Sequence, residues 1–115
     1  MNGAISFIRK CSETGVIVSL GHHNGSTEII KQAVDAGASM STHLGNGCAN
    51  MINRHDNPLC PQLANDRITA SIIADVFHLS TEEVQFFYKM IGVHRIVLVS
   101  YALDLAVLLH GVFIL

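Results

Sequence analysis

The sequence predicts an α/β fold, a partial (β/α)8 barrel of the TIM type with about four parallel strands and intervening helices. Short apolar runs alternate along the chain with amphipathic segments, an order typical of parallel βαβ units. Hydrophobic residues make up 50% of the chain and charged residues only 14%, as expected for strands covered by helices. The 115 residues are about half of the roughly 250 in a closed barrel. We therefore expect residues 1–115 to form a single partial barrel domain, a fragment.

The first part of the chain predicts two helix and strand pairs. Ile5, Ile8 and Cys11 share one face of a first helix, and glycine ends both helices. A hydroxyl residue, Ser26 or Thr27, is suited to cap the second helix. The predicted elements are a helix over 2–14, a strand over 16–20, a helix from the hydroxyl cap to Gly37, and a strand over 38–42.

The second part begins with a long loop. Residues 44–66 lose periodicity and gain glycine, asparagine and proline, which indicates a functional loop with a short helix near 61–65. Ser80 and the acidic residues after it are typical of a helix start. The remaining predictions are a strand over 68–74, a helix from Ser80 to Gly92 with a buried face of Val84, Phe87, Tyr88 and Ile91, and a strand over 96–99.

Two histidines follow neighbouring predicted strands. His22 and His43 are 21 residues apart, which leaves room for a loop, a helix and a return strand between them. Parallel strands place their carboxyl ends at the same edge of a sheet, so both imidazoles can lie together there. A neutral imidazole is a common zinc ligand, and the pair would supply two ligands of a tetrahedral site. The alternative is that each imidazole only hydrogen-bonds a loop; His23 is assigned a structural role of this kind.

Other polar residues near the strand ends are candidates for substrate binding. His78 ends the third strand region, where it could bind substrate or a developing charge. Asn46 and Gly47 offer an amide side chain and an accessible backbone N–H, which suit a sugar hydroxyl or an oxyanion. Arg54 could bind a phosphate or carboxylate through two hydrogen bonds, although a solvated surface charge is its alternative role. Cys48 is interpreted as a small hydrophobic side chain rather than a nucleophile.

Composition argues against several classes of protein. The net charge is -2 and the basic residues are scattered, so no nucleic-acid surface is predicted. Three cysteines without CxxC spacing favour reduced thiols in the cytoplasm, and the first ten residues do not resemble a signal peptide. The apolar stretch over 96–115 is long enough to span a bilayer. Because Asp104 interrupts it, a buried strand followed by an apolar segment is preferred to membrane association.

An ordered set of motifs along the chain resembles the second half of the barrel of the N-acetylglucosamine-6-phosphate deacetylase family, in the amidohydrolase superfamily. The similarity extends to about residue 108. The motifs are Gly21-His22, Ala36-Gly37-Ala38, Ser41-Thr42-His43-Leu44-Gly45-Asn46-Gly47, Asn65-Asp66-Arg67, Ile73-Ala74-Asp75, His78 and Ile96-Val97-Leu98-Val99-Ser100.

The resemblance implies a hydrolase of amino sugar metabolism that uses a divalent metal, zinc being expected, to remove acetate from a sugar phosphate. Such a metal polarises the amide carbonyl and activates water. By position, His22 and His43 match the histidine metal ligands, Asn46 and Gly47 the loop that contacts the sugar phosphate, Arg54 the phosphate-binding arginine, and His78 the substrate-binding histidine.

Two departures from the family pattern argue against activity of this chain alone. Tyr101 stands where the family has its catalytic aspartate, and a phenol with a pKa of about 10 is a poor general base at neutral pH. The family's third metal ligand, a glutamate, lies on an earlier strand that has no counterpart here. The alternatives are a hydrolase for another N-acyl substrate and a non-catalytic α/β module that binds a sugar phosphate or a protein partner. Open sheet edges further predict self-association or a homo-oligomer.

Overall fold

The computed structural model of the protein describes residues 2–100. Helices and strands alternate through this part of the chain, as the sequence predicts. The elements are α1 (Asn2–Glu13), β1 (Val18–Leu20), α2 (Thr27–Asp35), β2 (Ala38–Ser41), α3 (Cys60–Leu63), β3 (Thr69–Ile72), α4 (Thr81–Ile91) and β4 (Ile96–Leu98), with a 3₁₀ turn at Val93–Arg95 just before β4.

The four strands form one parallel sheet in the order β1-β2-β3-β4. Each strand pairs with the next one in the chain, with Leu20 opposite Ser41 and Ser41 opposite Ala70. The prediction of an α/β fold with about four parallel strands is confirmed. Over residues 2–100 the sheet is open, with β1 and β4 as its edges, and does not close into a barrel. The strands that precede candidate residues all have their carboxyl ends on the same side of this parallel sheet.

Side-chain caps fix where two of the helices begin. The Ser26 hydroxyl accepts a hydrogen bond from the Ile29 N–H, which assigns the cap of α2 to Ser26 rather than Thr27. At α4, Ser80 and Glu83 form a reciprocal capping box. These bonds satisfy N–H groups that would otherwise lack partners at the helix starts.

The core consists of two apolar clusters between helices and sheet. One joins α1 and α2 to β1 and β2 around Ile8 and Ala33, while the other joins α3 and α4 to β3 around Ile72 and Phe87. Each helix contacts the next in chain order, so the helices form one layer against the sheet. This layer is the arrangement that a (β/α) barrel requires on its outer side.

The predicted buried face of α4 is only partly correct. Phe87 and Ile91 are buried, but Tyr88 is 53% exposed. Tyr88 lies toward the β4 edge, next to an apolar groove that Val93 and Leu98 also line. Because no further strand or helix covers that edge within residues 2–100, Tyr88 stays in contact with solvent.

The first strand is shorter than predicted. Val16 and Ile17 are 54% and 70% exposed and lie before the point where β1 begins to pair with β2.

No helix within residues 2–100 has the length and apolar character needed to cross a membrane. Most of the apolar 96–115 stretch lies outside the described residues.

Candidate functional site

His22 and His43 lie side by side just beyond the ends of β1 and β2. Their Nε2 atoms are 3.0 Å apart, their ring centroids are 4.6 Å apart, and the rings meet edge to face at 88°. His22 is exposed and His43 is half-buried. The convergence of two imidazoles at neighbouring strand ends, expected from the 21-residue spacing, is therefore present.

Both histidines have a left-handed backbone, with φ of 50° at His22 and 29° at His43. Non-glycine residues adopt this region at a cost and do so mostly where neighbouring contacts impose it. At the end of β2 those contacts are the Thr42 N–H to Leu20 O, at 2.7 Å, and the His43 N–H to Ser71 Oγ, also at 2.7 Å. The end of β2 thus holds His43 in a backbone conformation that a free chain would seldom adopt.

The glycine-rich loop packs directly against these strand ends. A Cβ on Gly47 would lie 2.7 Å from the His22 N and 2.8 Å from its Cα, and a Cβ on Gly21 would lie 2.8 Å from the Thr42 Cβ. Gly45, with φ of 93°, approaches Leu79 in the same way. The sequence suggests Gly47 for its accessible N–H, and its close approach to the His22 backbone is a separate steric reason for glycine there.

Asn46 contacts the backbone of His43. Its backbone N–H donates to the His43 carbonyl at 3.0 Å, and its side-chain Nδ2 contacts the same oxygen at 3.4 Å. The amide oxygen of Asn46 makes no hydrogen bond to any residue from 2 to 100. Asn46 thus stabilises the turn after His43 through the carbonyl of that residue.

The histidine pair fits part of a divalent metal site. Zn–N bonds of about 2.0–2.1 Å allow two imidazole nitrogens 3.0 Å apart to contact one ion. Among residues 2–100, no third histidine, cysteine or carboxylate joins them to complete a metal-binding group. A cavity of about 20 Å³, room for one water molecule or ion, adjoins His22 beside Gly47 and Cys48. The residues present therefore suit half of a four-ligand shell.

Arg54 lies in the long loop, which is fastened to the region around α2. The Ala49 N–H donates to Asn24 Oδ1 at 2.6 Å, and the Thr27 N–H at the start of α2 donates to Asp56 Oδ1 at 2.7 Å. Between these two anchors the Arg54 guanidinium is exposed and makes no ion pair with the described part of the chain. Arg54 is thus held on an anchored loop with its charge open to an anion.

His78 lies beyond the end of β3 in a turn organised by Asp75. The Asp75 carboxylate accepts hydrogen bonds from the Phe77 and His78 N–H groups, both at 2.9 Å, and pairs with His78 Nδ1 at 2.7 Å. These contacts, the backbone N–H of His78 first, lower the pKa of Asp75 to about 2. The carboxylate is therefore ionised at neutral pH, and its hydrogen bond with Nδ1 orients the His78 ring.

Three other residues considered in the sequence are His23, Cys48 and Tyr101. His23 accepts a hydrogen bond from the Gly25 N–H through Nδ1, and partial burial lowers its pKa, which agrees with a structural role. Cys48 is half-buried, with its thiol 3.5 Å from the Gly45 carbonyl. Tyr101 lies outside the described residues.

Sequence reasoning missed two residues that build the site. Ser71 contacts the His43 backbone from β3, and Asp56 joins the long loop to α2. Thr69 and Ser71 are the two hydroxyl residues in the otherwise apolar run of residues 68–73, and a serine in the middle of a buried strand could have drawn attention to Ser71. Nothing in the sequence distinguishes Asp56 from other polar loop residues.

The chain is similar in sequence to curated deacetylases of N-acetylated sugar phosphates. The chain is 34% identical over 96 residues to an N-acetylglucosamine-6-phosphate deacetylase of Lysinibacillus sphaericus, covering 84% of this chain and 25% of that protein. It is 30% identical over 97 residues to an N-acetylgalactosamine-6-phosphate deacetylase of Shewanella sp. (strain ANA-3), again 25% of that protein. No protein-family model matches the chain.

The fold is also similar to solved structures of N-acetyl-D-glucosamine-6-phosphate deacetylases. The N-acetyl-D-glucosamine-6-phosphate deacetylase of Mycobacterium smegmatis superposes with a TM-score of 0.87 at 27% identity, covering 96% of this chain and 29% of that one. A mutant of that enzyme in complex with N-acetyl-D-glucosamine-6-phosphate has a TM-score of 0.84 at 27% identity, covering 90% of this chain and 27% of that one. The chain thus spans about a quarter of the length of the proteins that it matches.

Proposed function

We propose, from the premise that this chain is homologous to N-acetylglucosamine-6-phosphate deacetylases over about a quarter of their length, that it is the metal- and substrate-binding segment of such a hydrolase. The complete reaction would release acetate from N-acetylglucosamine 6-phosphate and leave glucosamine 6-phosphate. The observation that carries this proposal is the pair of imidazoles, 3.0 Å apart, at two neighbouring strand ends.

His22 and His43 are the residues that would hold the metal, through their Nε2 atoms. A bound divalent ion, zinc by preference for nitrogen ligands, would polarise the amide carbonyl and acidify a water molecule. The protein's own contribution is to hold the two imidazoles side by side at the ends of β1 and β2. Asn46 supports this arrangement through the His43 carbonyl.

The long loop would bind the substrate. Arg54 would pair with the phosphate through a charge-assisted hydrogen bond, and Asn46 and Gly47 would contact the sugar. His78, whose Nδ1–H donates to ionised Asp75, would contact the substrate through its oriented ring. Because relatives are named for both N-acetylglucosamine and N-acetylgalactosamine phosphates, the 6-phosphate of an N-acetylated hexosamine is the shared substrate chemistry.

The 115-residue chain by itself should bind and not hydrolyse. Residues 2–100 supply two metal ligands, and position 101 carries a phenol where the resemblance places a carboxylate base. The open β1 and β4 edges should also make the isolated chain self-associate, which sedimentation at rising concentration would detect. We place the protein in the cytoplasm, where its three free thiols would stay reduced.

A second candidate function, a non-catalytic module for a sugar phosphate, is favoured by Tyr101 alone. Calorimetry with N-acetylglucosamine 6-phosphate and an acetate assay on the same sample separate the possibilities. Binding that needs both zinc and Arg54, without acetate, is expected for a segment of the hydrolase. Binding of the sugar phosphate that is equally strong with and without zinc favours the non-catalytic module.

Arg54→Ala tests the phosphate contact, and Arg9→Ala on exposed α1 is its matched control. We expect Arg54→Ala to weaken binding about tenfold or more, as for a lost charge-assisted hydrogen bond of about 1.5–3 kcal/mol. Arg9→Ala should leave binding unchanged. Equal effects of the two substitutions, or no binding by the parent chain, would contradict the proposed function.

A further inference from the structure

We propose that Ser71 is a positioning residue for His43: its hydroxyl holds the end of β2 in the backbone conformation that turns the His43 ring toward His22. Ser71 lies in β3 and is 7% exposed. It touches neither imidazole through its hydrogen bonds, so it would act through the backbone and not as a ligand. The inference rests on the proposed role of His22 and His43 as metal ligands.

The hydroxyl of Ser71 makes two hydrogen bonds across the strand boundary. Its Oγ accepts from the His43 N–H at 2.7 Å and donates to the Ser41 carbonyl at 3.0 Å. The Ser71 carbonyl also accepts from the Leu44 N–H at 2.8 Å. Three contacts from one residue therefore fix the chain on both sides of His43.

These contacts begin where the hydrogen-bonded pairing of β2 with β3 ends. The register of β2 with β3 runs to Ser41 opposite Ala70, and His43 comes two residues later with φ of 29°. Its N–H is directed to a side-chain oxygen instead of a strand carbonyl. Without that oxygen, a partly buried N–H would lose its acceptor, and the left-handed conformation would lose a contact that opposes its strain.

The His43 ring makes a hydrogen-bond contact from its Nε2 to the Nε2 of His22 at 3.0 Å. Its Nδ1 is buried and makes no hydrogen bond within the part of the chain that the structure describes. Metal-ligating histidines usually have this second nitrogen fixed by a carboxylate, carbonyl or water. Since Nδ1 lacks such a partner within residues 2–100, the direction of the ring depends on its contact with His22 and on the backbone that Ser71 anchors.

Ser41 offers a matched control for the loss of a buried hydroxyl. It is fully buried on β2, and its Oγ donates to Gln62 Oε1 at 2.6 Å rather than contacting His43. Ser41→Ala and Ser71→Ala remove the same atom from neighbouring strands. A general loss of core stability would affect both variants alike, whereas a positioning role belongs to Ser71 alone.

The test uses the full 115-residue chain with Ser71→Ala, Ser71→Thr and Ser41→Ala. One readout is the nuclear Overhauser effect between the ring protons of His22 and His43 without metal, and the other is zinc affinity by competition with a chelating dye. We expect Ser71→Ala to lose the ring-to-ring signal and to bind zinc about 10-fold more weakly or worse. Ser71→Thr, which keeps the hydroxyl, should restore both, and Ser41→Ala should keep both while lowering the unfolding temperature.

Equal loss of signal and affinity in Ser71→Ala and Ser41→Ala would overturn the inference, and so would a Ser71→Ala chain that keeps both. If the parent chain shows the ring contact but binds no zinc, the proposed function fails, and the ring contact in the variants decides the role of Ser71. If Ser71→Ala does not fold, Ser71→Cys replaces it with the same expectation, because a thiol is a weak acceptor.

Discussion

The loop after β2 and the loop after β3 each contain a non-glycine residue with positive φ, His43 at 29° and Val76 at 60°. Around His43 the contacts come from other strands and from the glycine loop, which packs on His22. Around Val76, within residues 2–100, the hydrogen bonds of Asp75 reach only Phe77 and His78, and Val76 itself is 61% exposed.

This difference shows two ways to hold a strained backbone. Contacts between residues distant in sequence fix the histidine pair, so its geometry depends on the folded sheet. The Val76 turn depends on the charge of one neighbouring carboxylate and on local hydrogen bonds. We therefore expect substitutions to change the free energy of unfolding more at the first loop than at the second.

Gly47→Ala should have the largest effect because it breaks the packing of the first loop. The new Cβ would lie 2.7 Å from the His22 N, so backbone must move. We expect a loss of about 1–3 kcal/mol in the free energy of unfolding by urea, as for other overpacked sites. Gly3→Ala is the control, since a Cβ there meets nothing within 4 Å and the helix should gain stability. A Gly47→Ala chain as stable as its parent would contradict the close packing.

Val76→Gly should stabilise the protein by about 1 kcal/mol, because a left-handed backbone costs a β-branched residue roughly that much more than glycine. Urea unfolding measures the gain. The control is Val97→Gly, a 41% exposed position in β4 where glycine should destabilise the strand. If both substitutions destabilise the chain equally, the turn at Val76 is not strained.

Asp75 should give the second loop a dependence on acid pH. Its pKa is lowered to about 2, whereas an unfolded chain has a carboxyl pKa near 3.9. The stability it contributes is therefore complete above about pH 4 and is lost as the pH falls toward 2. Urea midpoints between pH 5 and 2 should fall less steeply in Asp75→Asn than in the parent. Phe77→Ala, which keeps the carboxylate and its backbone donors, should retain the parent slope, and an identical slope in Asp75→Asn would refute this role.

Much of the fold could be predicted from local sequence. Ser26, Ser80 and Gly92 mark helix ends through short-range hydrogen bonds and backbone preference, and all three lie where the sequence indicates. The exposure of Tyr88 could not be predicted, because its helical spacing matches a buried face and only the open β4 edge leaves it in solvent.

Only the part of the candidate site that follows directly after predicted strands can be predicted from the sequence. His22 and His43 each follow an apolar run, so their proximity follows from parallel pairing. The link from Ser71 to His43 joins residues 28 apart through a hydroxyl, and no periodicity reports such a contact. The packing of Gly47 on His22 is likewise a property of the folded chain.

The central claim, that His22 and His43 together bind one divalent metal, is tested most directly by following all histidine ring nitrogens during zinc titration by nuclear magnetic resonance. We predict that the Nε2 signals of His22 and His43 shift together, saturate at one zinc per chain, and do so ahead of the other five histidines. In His22→Ala, the His43 signal should no longer respond at the same zinc concentration. Shifts spread evenly over all histidines, or a His43 response that survives the loss of His22, would contradict the account.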